Sequence, residues 1–147
     1  GEKKRFLVDF IKKKKLSSVV KIISYKINPY KYIRKANIFI LTSKFEGLPN
    51  VLLEALVLKK YIISTNCPTG PREILLNGKV GDLIKIGDYK TLSKKVLDYS
   101  KGNSKFKNKL KKKINIGYQN LNRFDYDFNM KKYYNLLKKY YHNGKII

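Results

Sequence analysis

Asn37-Ile-Phe-Ile-Leu-Thr-Ser-Lys-Phe-Glu-Gly-Leu-Pro-Asn-Val-Leu-Leu-Glu-Ala-Leu-Val-Leu-Lys-Lys-Tyr-Ile-Ile-Ser-Thr65 is the run of sequence that decides the fold. It opens on an apolar strand pattern, Asn37–Leu41, and closes on another, Tyr61–Thr65. Between them Gly47 and Pro49 punctuate a loop, and Asn50 stands where it can cap a helix through Val51-Leu-Leu-Glu-Ala-Leu56. Strand, loop, helix and strand joined by short connections form the repeating unit of a parallel sheet with right-handed crossovers.

The same alternation extends outward. Downstream, the Pro68–Pro71 turn leads into a helix at Arg72–Leu76, and Gly78 and Gly81 bracket a turn before a strand at Asp82–Ile86. Gly87-Asp88 then starts a helix with Leu92, Val96 and Leu97 on its inner side. Upstream, Phe6, Leu7, Phe10 and Ile11 share one helical face, Val19–Ile23 reads as a short buried strand, and a short helix is expected over Tyr30–Lys35. The expected fold class is α/β: a Rossmann-like parallel sheet with flanking helices over residues 1–100, then basic helices over 101–147 packing on the same domain. In that tail Phe106, Leu110, Ile114, Gly117 and Leu121 are spaced for one face, and Phe128, Tyr133, Leu136, Leu137 and Tyr140 for another. Ligands of such sheets sit outside the carboxyl ends of the strands. The loops Lys26–Asn28, Ser43–Pro49 and Asn66–Gly70 are all expected to open on that edge.

The carboxylates of this region stand out against their background. Glutamate occurs four times, at positions 2, 46, 54 and 73, and no acidic residue lies between Asp9 and Glu46. Residues eight apart on a continuous helix are roughly 12 Å apart along its axis, and the Gly-Leu-Pro bend between Glu46 and Glu54 shortens that separation. The free amides of the helix start lie between the two carboxylates and suit a phosphate. Carboxylate, amide cradle, carboxylate matches the outline of a sugar nucleotide. The alternatives are a solvent-facing Glu54 on its helix and a Glu46 paired with a neighbouring lysine.

Glu46-x7-Glu54, written EGLPNVLLE, resembles the motif of retaining glycosyltransferases of the GT-B fold, in particular glycosyltransferase family 4 in bacterial surface-polysaccharide synthesis. Asn28-Pro-Tyr-Lys-Tyr, Ala36–Ser43 and Asn66-Cys-Pro-Thr-Gly-Pro-Arg-Glu-Ile74 are similar to the family's flanking segments. The resemblance covers most of residues 1–100 and implies a donor-binding C-terminal domain. It implies that Glu54 accepts hydrogen bonds from the ribose hydroxyls and that Glu46, the catalytic candidate, contacts the donor sugar near its reacting carbon. A carboxylate suits a vicinal diol because its two oxygens accept from both hydroxyls at once. The amides of Gly47 and Leu48 would face the diphosphate, with Pro49 and Asn50 shaping the loop, Gly70 playing a similar part in the second loop, and Lys26, Ile27 and Asn28 presenting backbone to the base.

The implied reaction is transfer of a hexose or N-acetylhexosamine from a UDP-sugar, with retention, to a glycan or lipid-linked acceptor, and no metal or other cofactor is expected. The family's diphosphate-clamping arginine and lysine, and its acceptor-binding N-terminal domain, precede the position of Gly1. The expectation is therefore that these residues alone bind nucleotide weakly and do not transfer sugar.

Composition bounds the remaining readings. The chain has 147 residues, 43% of them hydrophobic, which argues for one ordered domain. Net charge is +24, and this suggests an anionic membrane surface or nucleic acid as partner, or else a solvated Lys-rich background. A basic nucleic-acid-binding module is the second reading, and it leaves the paired carboxylates unexplained; a degenerate, non-catalytic remnant is the third. No apolar run reaches the roughly 20 residues of a membrane span, Cys67 stands alone, and Asp125-Tyr-Asp127 reads as a helix start rather than a metal motif. A cytoplasmic protein, peripheral at the inner face of the membrane, is expected.

Overall fold

The computed structural model describes residues 3–142; Gly1, Glu2 and residues 143–147, the outermost ends of the two expected segments, lie outside the described residues. The helices are α1 (Lys4–Lys13), α2 (Tyr30–Lys35), α3 (Asn50–Val57), α4 (Pro71–Ile74), α5 (Tyr89–Lys101), α6 (Ser104–Gln119) and α7 (Tyr126–His142), and the strands are β1 (Ile38–Leu41), β2 (Tyr61–Thr65) and β3 (Asp82–Ile84). The strands form one parallel sheet in the order β1-β2-β3. This is the α/β parallel sheet with flanking helices that the sequence leads one to expect.

The central strand explains why the sheet holds. All five residues of β2 are buried, as a parallel strand covered on both faces requires. Its side chains alternate between two cores. Ile62 joins Leu52, Ala55, Leu56, Ile74, Leu75 and Val80 beneath α3 and α4. Tyr61 and Ile63 face the other way, with Ile84 and Leu110, under α5 and α6. Helix α6 serves both sides. Its Leu110 enters the second core, while a Cβ at Gly117 would lie 2.8 Å from Leu56 Cδ2 and 3.2 Å from Val80 Cβ. A side chain here would have to displace the Leu56 methyl group, so glycine suits this close approach of α6 to α3.

Three expectations change. Val19–Ile23 forms no strand, and Val19 and Ile23 are exposed. β-Branched residues favour a strand only where a partner and a packed face are supplied, and in this structure β1 pairs with β2 alone. Asn50 does not cap α3: Pro49 occupies the cap position and no side chain bonds the first-turn amides. Leu97 is turned to solvent on α5, whereas Leu92 and Val96 pack against the second core. The α1 side chains Phe6, Leu7 and Phe10 are likewise exposed, as are Phe128, Tyr133, Leu136, Leu137 and Tyr140 on α7, where Phe128 lies apart from the other four.

One half-buried ionic cluster fastens the second layer. Asp82, at the start of β3, accepts hydrogen bonds from the Tyr61 hydroxyl at 2.8 Å, from Lys95 Nζ of α5 at 2.6 Å and from Lys113 Nζ of α6. Burial by itself pushes the Asp82 carboxyl up, but the donors Lys113, Lys95 and Tyr61 more than offset it and hold the group at about 2 instead of 3.8. Burial first, and then the hydrogen bond it donates to the Asp82 carboxylate, push the Tyr61 phenol far above its ordinary range. The folded-state value of Asp82 is depressed, so its contribution is present above the unfolded-state value and is lost as pH falls through about 4 toward 2. It amounts to about 2 kcal/mol. Urea titrations across that range should show this acid-side loss, and Asp82→Ala should abolish it. The same variant, by removing a half-buried acceptor shared by three donors, should cost about 1–3 kcal/mol at neutral pH. A stability–pH curve identical to that of the unaltered chain would refute the assignment.

Candidate functional site

The parallel sheet sends the loops after β1 (42–49) and β2 (66–70) out of the same edge, and side chains then lock them together. Thr65, the last residue of β2, donates from Oγ1 to the Ser43 carbonyl at 2.6 Å. Thr69 donates from Oγ1 to the Glu46 carbonyl. Pro49 is buried, and Gly70 is pressed against the first loop: a Cβ there would lie 2.1 Å from the Gly47 carbonyl oxygen and 2.5 Å from Pro49 Cδ. Gly70 also has φ 82° and ψ −65°, the strained γ-turn conformation that side chains exclude. Conformation and space both demand glycine at this position.

Gly47 is a different case. Its φ is not among the positive ones, and nothing lies within 4 Å of where its Cβ would stand. Neither backbone geometry nor packing requires glycine here. The position is open to solvent, at the tip of a braced loop, directly before the uncapped amides of α3. Leu48 and Asn50 beside it are exposed.

The expected residues divide into two groups. Glu46, Gly47, Leu48, Pro49, Asn50 and Gly70 belong to one loop assembly. Glu46 is half-buried, with its backbone held and its carboxylate in no ion pair among the described residues. Glu54 is half-buried on α3, roughly opposite the Leu52, Ala55 and Leu56 face at about 100° per residue, and it too forms no ion pair among the described residues. Lys26, Ile27 and Asn28 stand apart. They are exposed, follow no strand, and the Asn28 side chain accepts the Tyr30 amide at 3.1 Å. Their expected place at the strand-end edge depended on a strand at 19–23, which the structure does not form.

A cleft of about 490 Å³ opens beside the second loop, lined by Thr69, Gly70, Arg72, Glu73, Asn77 and Arg123 among others. It contains Gly70 but neither Glu46 nor Glu54. Of its two arginines, the sequence reading weighs Arg72, as a phosphate contact or a surface residue, and misses Arg123. Arg72 Nε donates to Asn66 Oδ1 at 3.2 Å. Arg123 donates to the Ile74 and Glu73 carbonyls at 3.3 and 3.5 Å, tying the turn after α6 to the end of α4. A signal was available: arginine occurs only four times, at 5, 34, 72 and 123, against 30 lysines. The planar guanidinium suits fixed, multi-point bonding where lysine does not. Asp125 accepts the Phe128 amide at 2.8 Å and so begins α7. Cys67 is buried, as a small apolar side chain would be. Among the described residues no cluster of three or more His, Cys, Asp and Glu could hold a metal, and no helix is long and apolar enough to cross a membrane.

Comparison with known proteins places this assembly. Residues 1–116 match the family described as Glycosyl transferases group 1. An uncharacterized glycosyltransferase of Methanocaldococcus jannaschii is 45% identical over 75 residues, 51% of this chain and 18% of that protein. The N-acetylgalactosamine-N,N'-diacetylbacillosaminyl-diphospho-undecaprenol 4-alpha-N-acetylgalactosaminyltransferase of Campylobacter jejuni is 32% identical over 114 residues, 76% of this chain and 31% of that one. The chain thus spans less than a third of the length of either relative. Among solved structures, TarM superposes with a TM-score of 0.78 at 20% identity, over 90% of this chain and 26% of that one. The C-terminal domain of the group 1 glycosyl transferase LpcC of Francisella tularensis gives 0.63 at 24% identity, over 85% of this chain and 63% of that one. With its parallel sheet, its braced pair of strand-end loops and a family match over 116 of its 147 residues, the chain belongs to the group 1 glycosyl transferases.

Proposed function

We propose that this chain is the donor-binding part of a retaining family 4 glycosyltransferase, with a UDP-sugar held at the loop pair formed by residues 43–50 and 66–70. The observation that carries the reading is Gly47, a glycine that the fold itself does not need. A bare backbone facing open space at the mouth of a helix with uncapped amides suits close approach of a diphosphate. Glu46 and Glu54 flank that backbone in sequence and are committed to no cation among the described residues. In this reading Glu54 accepts from the ribose hydroxyls, while Glu46 meets hydroxyls of the transferred sugar.

The chemistry assigned to the chain is positioning and stabilisation of the leaving group. Retention follows if the acceptor hydroxyl approaches on the face from which the diphosphate departs. Amides fixed by the Thr65 and Thr69 braces then stabilise the departing charge without reorganising. The transferred hexose or N-acetylhexosamine, the glycan or lipid-linked acceptor and the activity of the whole enzyme belong to the same proposal. Relatives named for capsular polysaccharide and lipopolysaccharide synthesis support this direction.

Calorimetric titration of UDP and UDP-sugars into the 147-residue chain tests the reading. Glu54→Ala should weaken binding by about 1.5–3 kcal/mol, the worth of a charged hydrogen-bond acceptor. Gly47→Ala should leave the urea midpoint unchanged while lowering affinity by about tenfold or more, because its new methyl group meets ligand and not protein. Gly70→Ala should do the reverse first, lowering stability by about 2 kcal/mol or more and affinity as a consequence. Equal affinity of the Gly47→Ala and unaltered chains would sink the proposed site.

A further inference from the structure

The backbone at the tip of the first loop is oriented by its carbonyls. The Glu46 carbonyl accepts from Thr69 Oγ1, and the Gly47 carbonyl oxygen abuts Gly70 so closely that a Cβ there would collide with it. Both oxygens therefore face loop 66–70. None of the described peptide bonds is cis, and a planar trans peptide sends its N–H to the side opposite its carbonyl. The Gly47 and Leu48 amides, which share peptides with those two carbonyls, are thus aimed away from the second loop. Neither finds an acceptor among the described residues.

The loop that does the gripping is itself anchored. Asn66 donates its amide to the Ile84 carbonyl at 2.7 Å and accepts from Arg72 Nε, while Cys67 and Pro71 are buried. The first loop has only a firm base, where Thr65 holds the Ser43 carbonyl. Over residues 44–48 the Thr69 hydroxyl is the one hydrogen-bond partner of any backbone group among the described residues.

We infer that Thr69 is a positioning residue for the transfer reaction: by holding the Glu46 carbonyl it aims the Gly47 amide at the donor diphosphate. This rests on the reading of the loop pair as the diphosphate site. The hydroxyl acts in two ways. It fixes the peptide plane, so the N–H does not reorient as charge develops on the leaving group. By donating to the carbonyl it also polarises the peptide, which makes the N–H a stronger donor. Thr69 lies across that peptide from the ligand, so its effect reaches the diphosphate through the backbone alone.

The test is two-dimensional proton–nitrogen NMR of the 147-residue chain titrated with UDP and with uridine. UDP should move the Gly47 and Leu48 amide protons downfield, and uridine should leave them in place. In Thr69→Val the Gly47 shift should shrink and UDP affinity fall about fivefold, the worth of one hydrogen bond. Thr69→Ser keeps the hydroxyl and should restore affinity to within about twofold of the unaltered chain. Thr69 is exposed, so both variants should retain the dispersed spectrum of the folded chain. UDP binding that depends on Glu54 yet leaves the Gly47 amide unmoved would overturn the inference and leave the site standing. A Thr69→Val chain that binds UDP as tightly as the unaltered one has the same consequence. Absence of UDP binding altogether overturns the reading of the site, and this inference with it.

Discussion

The structure depends on one strand that has no free side. Tyr61–Thr65 is hydrogen-bonded along both edges and buried on both faces, so β1, β3, α3, α4, α5 and α6 are all positioned by reference to it. Burying such a strand leaves its polar members to be satisfied, and the sequence supplies the partners. Ser64 donates to a neighbouring carbonyl, and Thr65 turns its hydroxyl onto the backbone of the loop after β1. The need to satisfy a buried hydroxyl at the end of the central strand therefore also shapes the ligand-facing edge.

That coupling links stability to the candidate site. Loops that carry function are mobile unless something holds them, and here the two strand-end loops hold each other. Thr69 grips the Glu46 backbone, and Gly70 abuts the Gly47 carbonyl in a conformation closed to other residues. The two glycines divide the labour. One lets protein touch protein, and the other leaves backbone facing open space. On the far layer, Asp82 gathers Tyr61, Lys95 and Lys113, so that the basic helices α5 and α6 are drawn onto the sheet by a single carboxylate. Part of the chain's large positive charge thus has an internal use.

The family assignment and the geometry reinforce each other from different directions. Sequence similarity to group 1 glycosyl transferases runs through residue 116, which reaches into α6 but stops before Gly117 and the turn that delivers Arg123. The structure shows why the later segment still belongs with the earlier one. Gly117 is packed on Leu56 and Val80, and Arg123 bonds the carbonyls that end α4. Beyond that turn α7 has no buried side chain among those described, and its surface faces outward.

The residue order by itself determined the βαβ reading of 37–65, because a strand pattern, a Gly-x-Pro loop and an apolar helix are local signals with distinct periods. It also singled out Glu46, Glu54 and Gly70, since carboxylates in a lysine-rich chain and a glycine between prolines stand out without coordinates. It misread Val19–Ile23, whose composition suits a strand but whose state depends on pairing and on a packed face, neither of which is a local property. It also placed the helix cap on Asn50 instead of Pro49. The brace between the loops, the collection of lysines by Asp82 and the reach of Arg123 across 49 positions to Ile74 were decided only by tertiary structure. Each is a contact between residues far apart in the chain, fixed by which faces of the sheet the helices cover.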